Sequence, residues 1–588
     1  MRIERHQVGE AVVSAARDDF TNRIGRLVHS LSRADRMTTH AWQSIADEFV
    51  AYLGALSVET PDLDTPEAKA ALKDASEAAA GAVAYAAYHP HCSFQVFLDY
   101  VNFGMSYDPG EDAPAESVTA GDWIDALCLA VLRDRAAWHG EAFHLARQKF
   151  DDRARGTPAG ELVTGLTAVV LDWTGGDEEY PLGARAKLAA VDAALDRIRS
   201  HGARTGAPLL DRPDSRALHA LRALVVEDRE AFDAALAELL LGHAALQGPT
   251  ASARTLLPLV PLTLAALAYR TLGWTPAVHT DYLPHALITG FETRAPRVAG
   301  FGRDRRPDAV AALAAGPLVV DRPPCERVGI ARIEAVYEEH LEKALTADEG
   351  KPLAVRRLGS ALADQRRLFL WRAGNPGDIA AAQLATLRLA SRIGAALFRI
   401  ALAEPDTEVE LTLHGHSLRC PAERGREVNA GNWQTAVACA LVAGAREDLA
   451  PLVLAGPTCA RPDGAAFTAY REALHAYLKG AEPEAAAQRA LREAEKAEDW
   501  GLPMPPAVLL SQLVEGDEES FNLALADALE AHRAHYQVAD RSEEPGVSVD
   551  LDVLALACHA RRRGWTIRVD SPYLPQDLLR AAEPLGAA

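Results

Sequence analysis

The chain has 588 residues, 49% of them hydrophobic and 24% charged, which is enough apolar material to bury a core and excludes a disordered polymer. Lys and Arg number 61 against 82 Asp and Glu, and the resulting charge of −21 excludes a general nucleic-acid binder, because no basic excess is available to displace phosphate counterions. The seven cysteines include no C-x-x-C pair, which argues against a zinc ribbon or a disulfide framework and for reduced thiols in the cytoplasm.

The N-terminal Met1-Arg2-Ile3-Glu4-Arg5-His6 is charged and has no apolar leader core. Asp18-Asp19 and Asp151-Asp152 invite comparison with the magnesium-binding aspartates of helical terpene cyclases, but no third Asp follows at helical spacing. His89-Pro-His91-Cys92 reads as a loop before a strand, with metal binding the minor alternative. Phe94–Tyr107, with Gly104 inside it, predicts a small hairpin. Leu162–Ile198 predicts two helices broken at Gly175-Gly176. Residues 255–269 are uncharged, but they contain Pro258 and Pro261 and are too short for the roughly 20 residues of a membrane span.

Residues 292–328 are dense in Pro and Arg, and apolar periodicity lapses there. Beyond them Ile330, Ile333, Tyr337, Leu341 and Leu345 form one helical stripe. Val409–Leu413 and Leu418 to Cys420 alternate around Gly415 and predict a second hairpin. His414 and His416 would share a strand face and could reach one ion, although no third ligand is placed, so a metal is not assigned. The uncharged stretch 428–445 contains Asn429, Asn432 and Gln434 and is not read as a span. Residues 467–495 predict two helices with Pro483 and Glu484 in the first turn of the second.

The dominant feature is an internal duplication. Residues 118–130 recur at 428–440 with six of thirteen positions identical, including Trp123/Trp433. Residues 224–243 recur at 513–532 with ten of twenty identical, including Asp228/Asp517, Glu230/Glu519, Phe232/Phe521 and His243/His532. Residues 273–287 recur at 564–578 with eight of fifteen identical, including Trp274/Trp565 and Tyr282-Leu-Pro284/Tyr573-Leu-Pro575. A period near 300 is too long for a solenoid repeat of about 20–50 residues and predicts two homologous domains. The expected fold is all-α: a first helical domain 1–295, a linker 296–326 and a second helical domain 327–588, each with one small hairpin. Between Trp123 and Phe232 the first copy is longer, with Gly156–Glu161 and Gly175–Glu179 as candidate insertions.

The tryptophans are expected to lock helix packing through their indole N–H groups. Asp228 and Asp517 are expected as helix N-caps, with Glu230 and Glu519 favouring the helix dipole. His243 and His532 fit either a charge at a helix C-terminus or a contact residue. No serine or cysteine nucleophile motif and no phosphate-binding glycine loop is present, so no catalytic residue or cofactor is assigned.

The Asp-x-Glu-x-Phe helix, the histidine that closes it and the Gly-Trp-Thr…Tyr-Leu-Pro…Leu segment, present twice, resemble the bacterial immunity protein 49 family. That resemblance implies a cytoplasmic antitoxin that blocks a cognate bacterial toxin stoichiometrically, without catalysis or cofactor. Asp228, Glu230, His243, Tyr282, Asp517, Glu519, His532 and Tyr573 are then candidate partner-binding residues. A chain at −21 would be steered toward a toxin with a basic cleft, and neither nucleic acid nor membrane is expected as a partner. The alternative is a helical scaffold or regulator that docks protein partners in two related grooves.

Overall fold

A computed structural model describes all residues except 34–36, 111–115, 151–153, 174–179, 249, 292–294, 324–328, 347–351, 376–379, 424, 458–464, 498–503 and 583–588. The fold is mostly α-helical, at 67% helix with a few short strands. The chain divides into two compact units, Met1–Thr293 and Arg294–Ala588.

The first unit runs α1 (Glu10–Arg17), α2 (Phe20–Ser32), α3 (Thr39–Glu59), α4 (Pro66–Tyr88), β1 (Phe94–Leu98), β2 (Phe103–Tyr107), α5 (Ala120–Leu132), α6 (Gly140–Gln148), α7 (Pro158–Val170), α8 (Ala184–Thr205), α9 (Pro213–Val225), α10 (Arg229–Leu246), α11 (Leu259–Leu272) and α12 (His285–Thr289). The second unit opens with α13 (Pro307–Ala315), β3 (Leu318–Val319) and α14 (Ile330–Leu345). It then repeats the order from α3 onward: α15 (Val355–Gly374), α16 (Ala380–Leu402), β4 (Glu408–Leu413), β5 (His416–Pro421), α17 (Ala430–Ala443), α18 (Arg446–Ala455), α19 (Ala465–Lys479), α20 (Glu484–Lys496), α21 (Ala507–Glu515), α22 (Glu518–Tyr536), α23 (Leu551–Arg562), β6 (Val569–Asp570) and α24 (Gln576–Ala581).

Both hairpins form as antiparallel pairs, Phe94 opposite Tyr107 and Glu408 opposite Pro421. The first turns at Asp99–Asn102, ahead of Gly104, which lies within β2 opposite Phe97. Each unit also closes with a short parallel pairing. Arg2 bridges His279 in the first unit, and β3 pairs with β6 in the second. The Ile3 amide donates to the His279 carbonyl at 3.1 Å, and the Val320 amide donates to the Asp570 carbonyl at 3.0 Å. The repeat therefore reaches back to Ile3 and Val320, two positions that composition alone does not reveal.

Within the 296–326 segment, expected as a linker, the described residues 296–323 are folded into the second unit. Its Pro307 is the first residue of α13, and its Arg297 pairs with Asp527 and Glu530 of α22. Pro and Arg density marks a helix start and partly buried ion pairs here, not a free connection. The extra length of the first copy lies partly in α8, with 22 residues against 13 in α20, and partly in a longer loop after α7. No extra length falls at Gly156–Glu161, because the α6-to-α7 spacing matches α18-to-α19. Asp151, Asp152, Gly175 and Gly176 lie outside the described residues.

The uncharged 255–269 stretch sits within the run Ala253–Leu272, which is long and apolar enough to pass for a membrane span. It is mostly buried: Leu262, Leu264, Ala265 and Ala266 are core, and the Thr263 hydroxyl donates to the Cys128 carbonyl at 3.4 Å. Apolar burial of this kind marks a core helix of a packed unit.

Candidate partner-binding face

The duplicated residues first build two matching cores. Trp123 and Trp433 are fully buried, and their indole N–H groups donate to the carbonyls of Phe143 and Leu452, both at 2.9 Å. Each indole thereby pins the next helix, α6 or α18, through an interaction that burial strengthens.

The second matching element starts α10 and α22. Asp228 accepts from the Ala231 amide and Asp517 from the Ser520 amide, each at 3.0 Å, so both are N-caps. The residue before each cap is left-handed, Glu227 at φ +56° and Gly516 at φ +84°. One turn further on, Phe232 and Phe521 are buried against Trp274 and Trp565, with ring centroids 5.9 and 5.5 Å apart. The amides of these tryptophans return to Ala268, six residues back, and to Ala560, five residues back, closing α11 and α23.

The histidines at the far end meet the repeated tyrosines edge to face. His243 lies 5.3 Å from Tyr282, and His532 lies 5.1 Å from Tyr573. Both tyrosines are fully buried, with amides held by Thr280 and Ser571 side chains at 3.3 and 3.2 Å. Burial lowers the His243 pKa, outweighing its hydrogen bond to the Thr255 carbonyl, so this ring is a neutral contact and not a helix-terminal charge. In the second unit His532 is 4% exposed, with Nδ1 3.6 Å from Asp550. Burial pushes the Asp550 carboxyl up, but His532 and the two main-chain N–H groups it caps outweigh that and hold it below the usual range. Its neighbour Asp552 is pushed up to about 7 by burial and by the Asp550 charge. Asp552 accepts from Gln434 at 2.6 Å, and Gln434 accepts from Arg471 at 2.7 Å. The corresponding helix cap in the first unit is Pro258. The copies have therefore diverged at this buried network while keeping the aromatic frame.

A third matching element carried no sequence signal of its own. Arg270 donates to the carbonyls of Val131 and Leu132 at the end of α5, and also to Leu287 and Ile288. Arg562 does the same for Leu441 and Val442 at the end of α17. Both guanidinium groups donate to carbonyls at a helix C-terminus, where intrahelical partners run out.

Of the eight candidate partner residues, Tyr282, Tyr573 and His532 present almost no side-chain surface. Asp517 and Glu519 are engaged by Arg305, which donates to Glu519 at 2.9 Å and to Asp517. Their counterparts Asp228 and Glu230 are exposed. His243 is partly buried in the contact described above. The duplicated acidic residues thus come together at the start of one helix per unit: Asp228 and Glu230 are exposed, whereas Asp517 is partly covered and Glu519, though exposed, is paired with Arg305.

His414 and His416 do not share a strand face. His414 sits in the hairpin turn at φ +50°, outside β4, and His416 on β5 lies 3.2 Å from Glu342. His89 is 1% exposed and stacked 4.5 Å from Tyr85. Among the described residues, no group of three or more His, Cys, Asp or Glu side chains is placed to hold a metal.

One titrating contact predicts a pH effect. His559 accepts from the Tyr477 hydroxyl at 3.0 Å, and that hydroxyl accepts from Arg563 at 3.0 Å. Burial, reinforced by Arg563 and Arg562, pushes the imidazole down to about 4. The unfolded chain binds this proton near 6.5, so between about 6.5 and about 4 it holds more protons than the folded chain, and stability falls as the pH drops through that window. His559→Gln keeps an acceptor for Tyr477 without the titration. It is expected to remove roughly 2–3 kcal/mol of that acid sensitivity in urea unfolding measured across this range. An unchanged pH profile would contradict the assignment.

These features define a tandem-duplicated, mostly α-helical protein whose repeated residues build caps, clamps and aromatic cores. The family model described as immunity protein 49 matches residues 60–287 and again residues 376–578, and the chain belongs to that family. No curated protein and no solved structure matches it.

Proposed function

We propose that this chain is an immunity protein that neutralises a cognate bacterial toxin by stoichiometric binding in the cytoplasm. The observation that carries the reading is the family match over both halves of the chain. The charge of −21 supports a toxin with a basic surface, because opposite charge accelerates encounter and disfavours wrong partners. The described cysteines Cys92, Cys128, Cys420, Cys439 and Cys558 are unpaired thiols, which fits a reducing compartment. The two halves do not offer equal faces, which favours one toxin interface over a scaffold with two equivalent grooves.

The test is co-expression with the toxin encoded by the adjacent gene. The expected result is restored growth and a complex that co-purifies. Loss of viability with no complex would overturn the proposal.

A further inference from the structure

The segment that covers α22 shows what its counterpart on α10 can hold. Residues 297–315 lie across α21 and along α22 as a strap. Arg297 donates to Asp527 and Glu530 at 2.7 to 2.9 Å, and its own amide reaches Asp527 at 2.7 Å. The amides of Phe301 and Gly302 donate to Ser511 and Gln512 at 3.1 and 2.7 Å. Gly302 is left-handed at φ +66°, and a Cβ there would come within 2.8 Å of the Asp517 carboxylate, so the strap approaches the α22 cap closely. Arg305 then clasps Asp517 and Glu519, and Leu313 of α13 enters the core at 1% exposure.

On α10 the same positions are open. Leu523 is fully buried, but its counterpart Ala234 is exposed. Asp527 and Glu530 are partly covered, whereas Glu238 and Leu241 are exposed, Leu241 at 50%. Glu230, Ala234, Glu238, Leu241 and Ala245 fall on one stripe of the helix, and all five are exposed. Three of the four carboxylates that hold the strap have acidic counterparts here: Asp228, Glu230 and Glu238. Small alanines leave room for a helix to approach, and Leu241 supplies an apolar centre.

We infer that this face of α10 is where the partner docks, and that the partner presents an arginine-bearing segment that mimics the strap. The inference rests on the toxin-binding reading for the identity of the partner, but the chemistry of the face can be tested without the toxin. One arginine bridges the helix N-terminus at Asp228 and Glu230, and a second reaches Glu238. The strap seated on the sister helix is the internal precedent for both.

The probe is a synthetic peptide of residues 295–317 carrying a fluorophore, titrated into the full chain and followed by anisotropy. One peptide per chain is expected. Affinity is expected to fall at least about tenfold in the Glu230→Arg, Glu238→Arg variant and in a peptide with both Arg297 and Arg305 replaced by Ala, which corresponds to about 1.4 kcal/mol. Glu230→Gln, Glu238→Gln, which removes charge without reversing it, is expected to weaken binding in the same direction with helicity unchanged. No binding overturns the inference. So does binding that the α10 variants leave unchanged, because the peptide would then be replacing the strap on α22. A chain that protects cells from the toxin yet fails this titration refutes the face and leaves toxin neutralisation standing. A chain that binds the peptide and gives no protection does the reverse.

Discussion

Replacing Trp433 by alanine is expected to cost about 3–5 kcal/mol, the range for emptying a large aromatic site in a close-packed core. The indole is fully buried, and its N–H is the tie between α17 and the Leu452 carbonyl in α18. Trp433→Phe separates the two contributions. It retains most of the ring volume and loses the hydrogen bond, so about 1–2 kcal/mol is expected. Each unit has its own core, so the loss should appear as faster amide exchange in 430–455 while the first unit keeps its protection. Trp123→Ala should give the mirror result, loosening α5 and α6. Equal loosening of both units by either variant would contradict the assignment of separate cores.

The arginine clamps carry the second large effect. Arg270→Met is expected to cost about 2–4 kcal/mol, because it strands the carbonyls of Leu132, Leu287 and Ile288 that the guanidinium now satisfies, while Val131 keeps the Asp134 amide. Arg562→Met strands those of Leu441 and Val442 and is expected to cost somewhat less, about 1–3 kcal/mol. Lysine is expected to restore little at either position, since a single ammonium cannot fork across two carbonyls. Urea unfolding of the four variants checks the order. Full recovery by lysine would show that charge alone matters.

Much of this fold was legible because duplication acts as an internal control. A residue that reappears at a fixed offset is under a shared constraint, and Trp123/Trp433, Asp228/Asp517 and Phe232/Phe521 all proved to be packing or capping positions. The clamps are hidden in the sequence for a geometric reason. Arg270 precedes Gly273 by three residues and Arg562 precedes Gly564 by two, so a fixed offset pairs Arg270 with Arg561. An extra residue at the helix end moved the side chain without moving its job. The strap is not legible in the sequence, because Pro and Arg density fits an open connection as well as a docked segment. What gives it structure is long-range, the carboxylates of α22 lying more than two hundred residues away. The open face of α10 was half legible. Asp228 and Glu230 were singled out by recurrence, but Glu238 and Leu241 stand where the second copy has Asp527 and Glu530, and the significance of that exchange emerges only once the strap is seen.

Burial also sorts the candidate residues in a way recurrence cannot. Tyr282 and Tyr573 recur because each closes a core beside a histidine, and a side chain without exposure has no surface to offer a partner. Glu230 recurs and is exposed, the combination expected of a contact residue.

The account as a whole is tested most directly by titrating the adjacent gene's purified toxin with this chain and following residual toxin activity against molar ratio. Binding as the mode of immunity predicts a linear fall that reaches zero at one chain per toxin. Complete inactivation by a small fraction of an equivalent, or activity undiminished at excess, would contradict it.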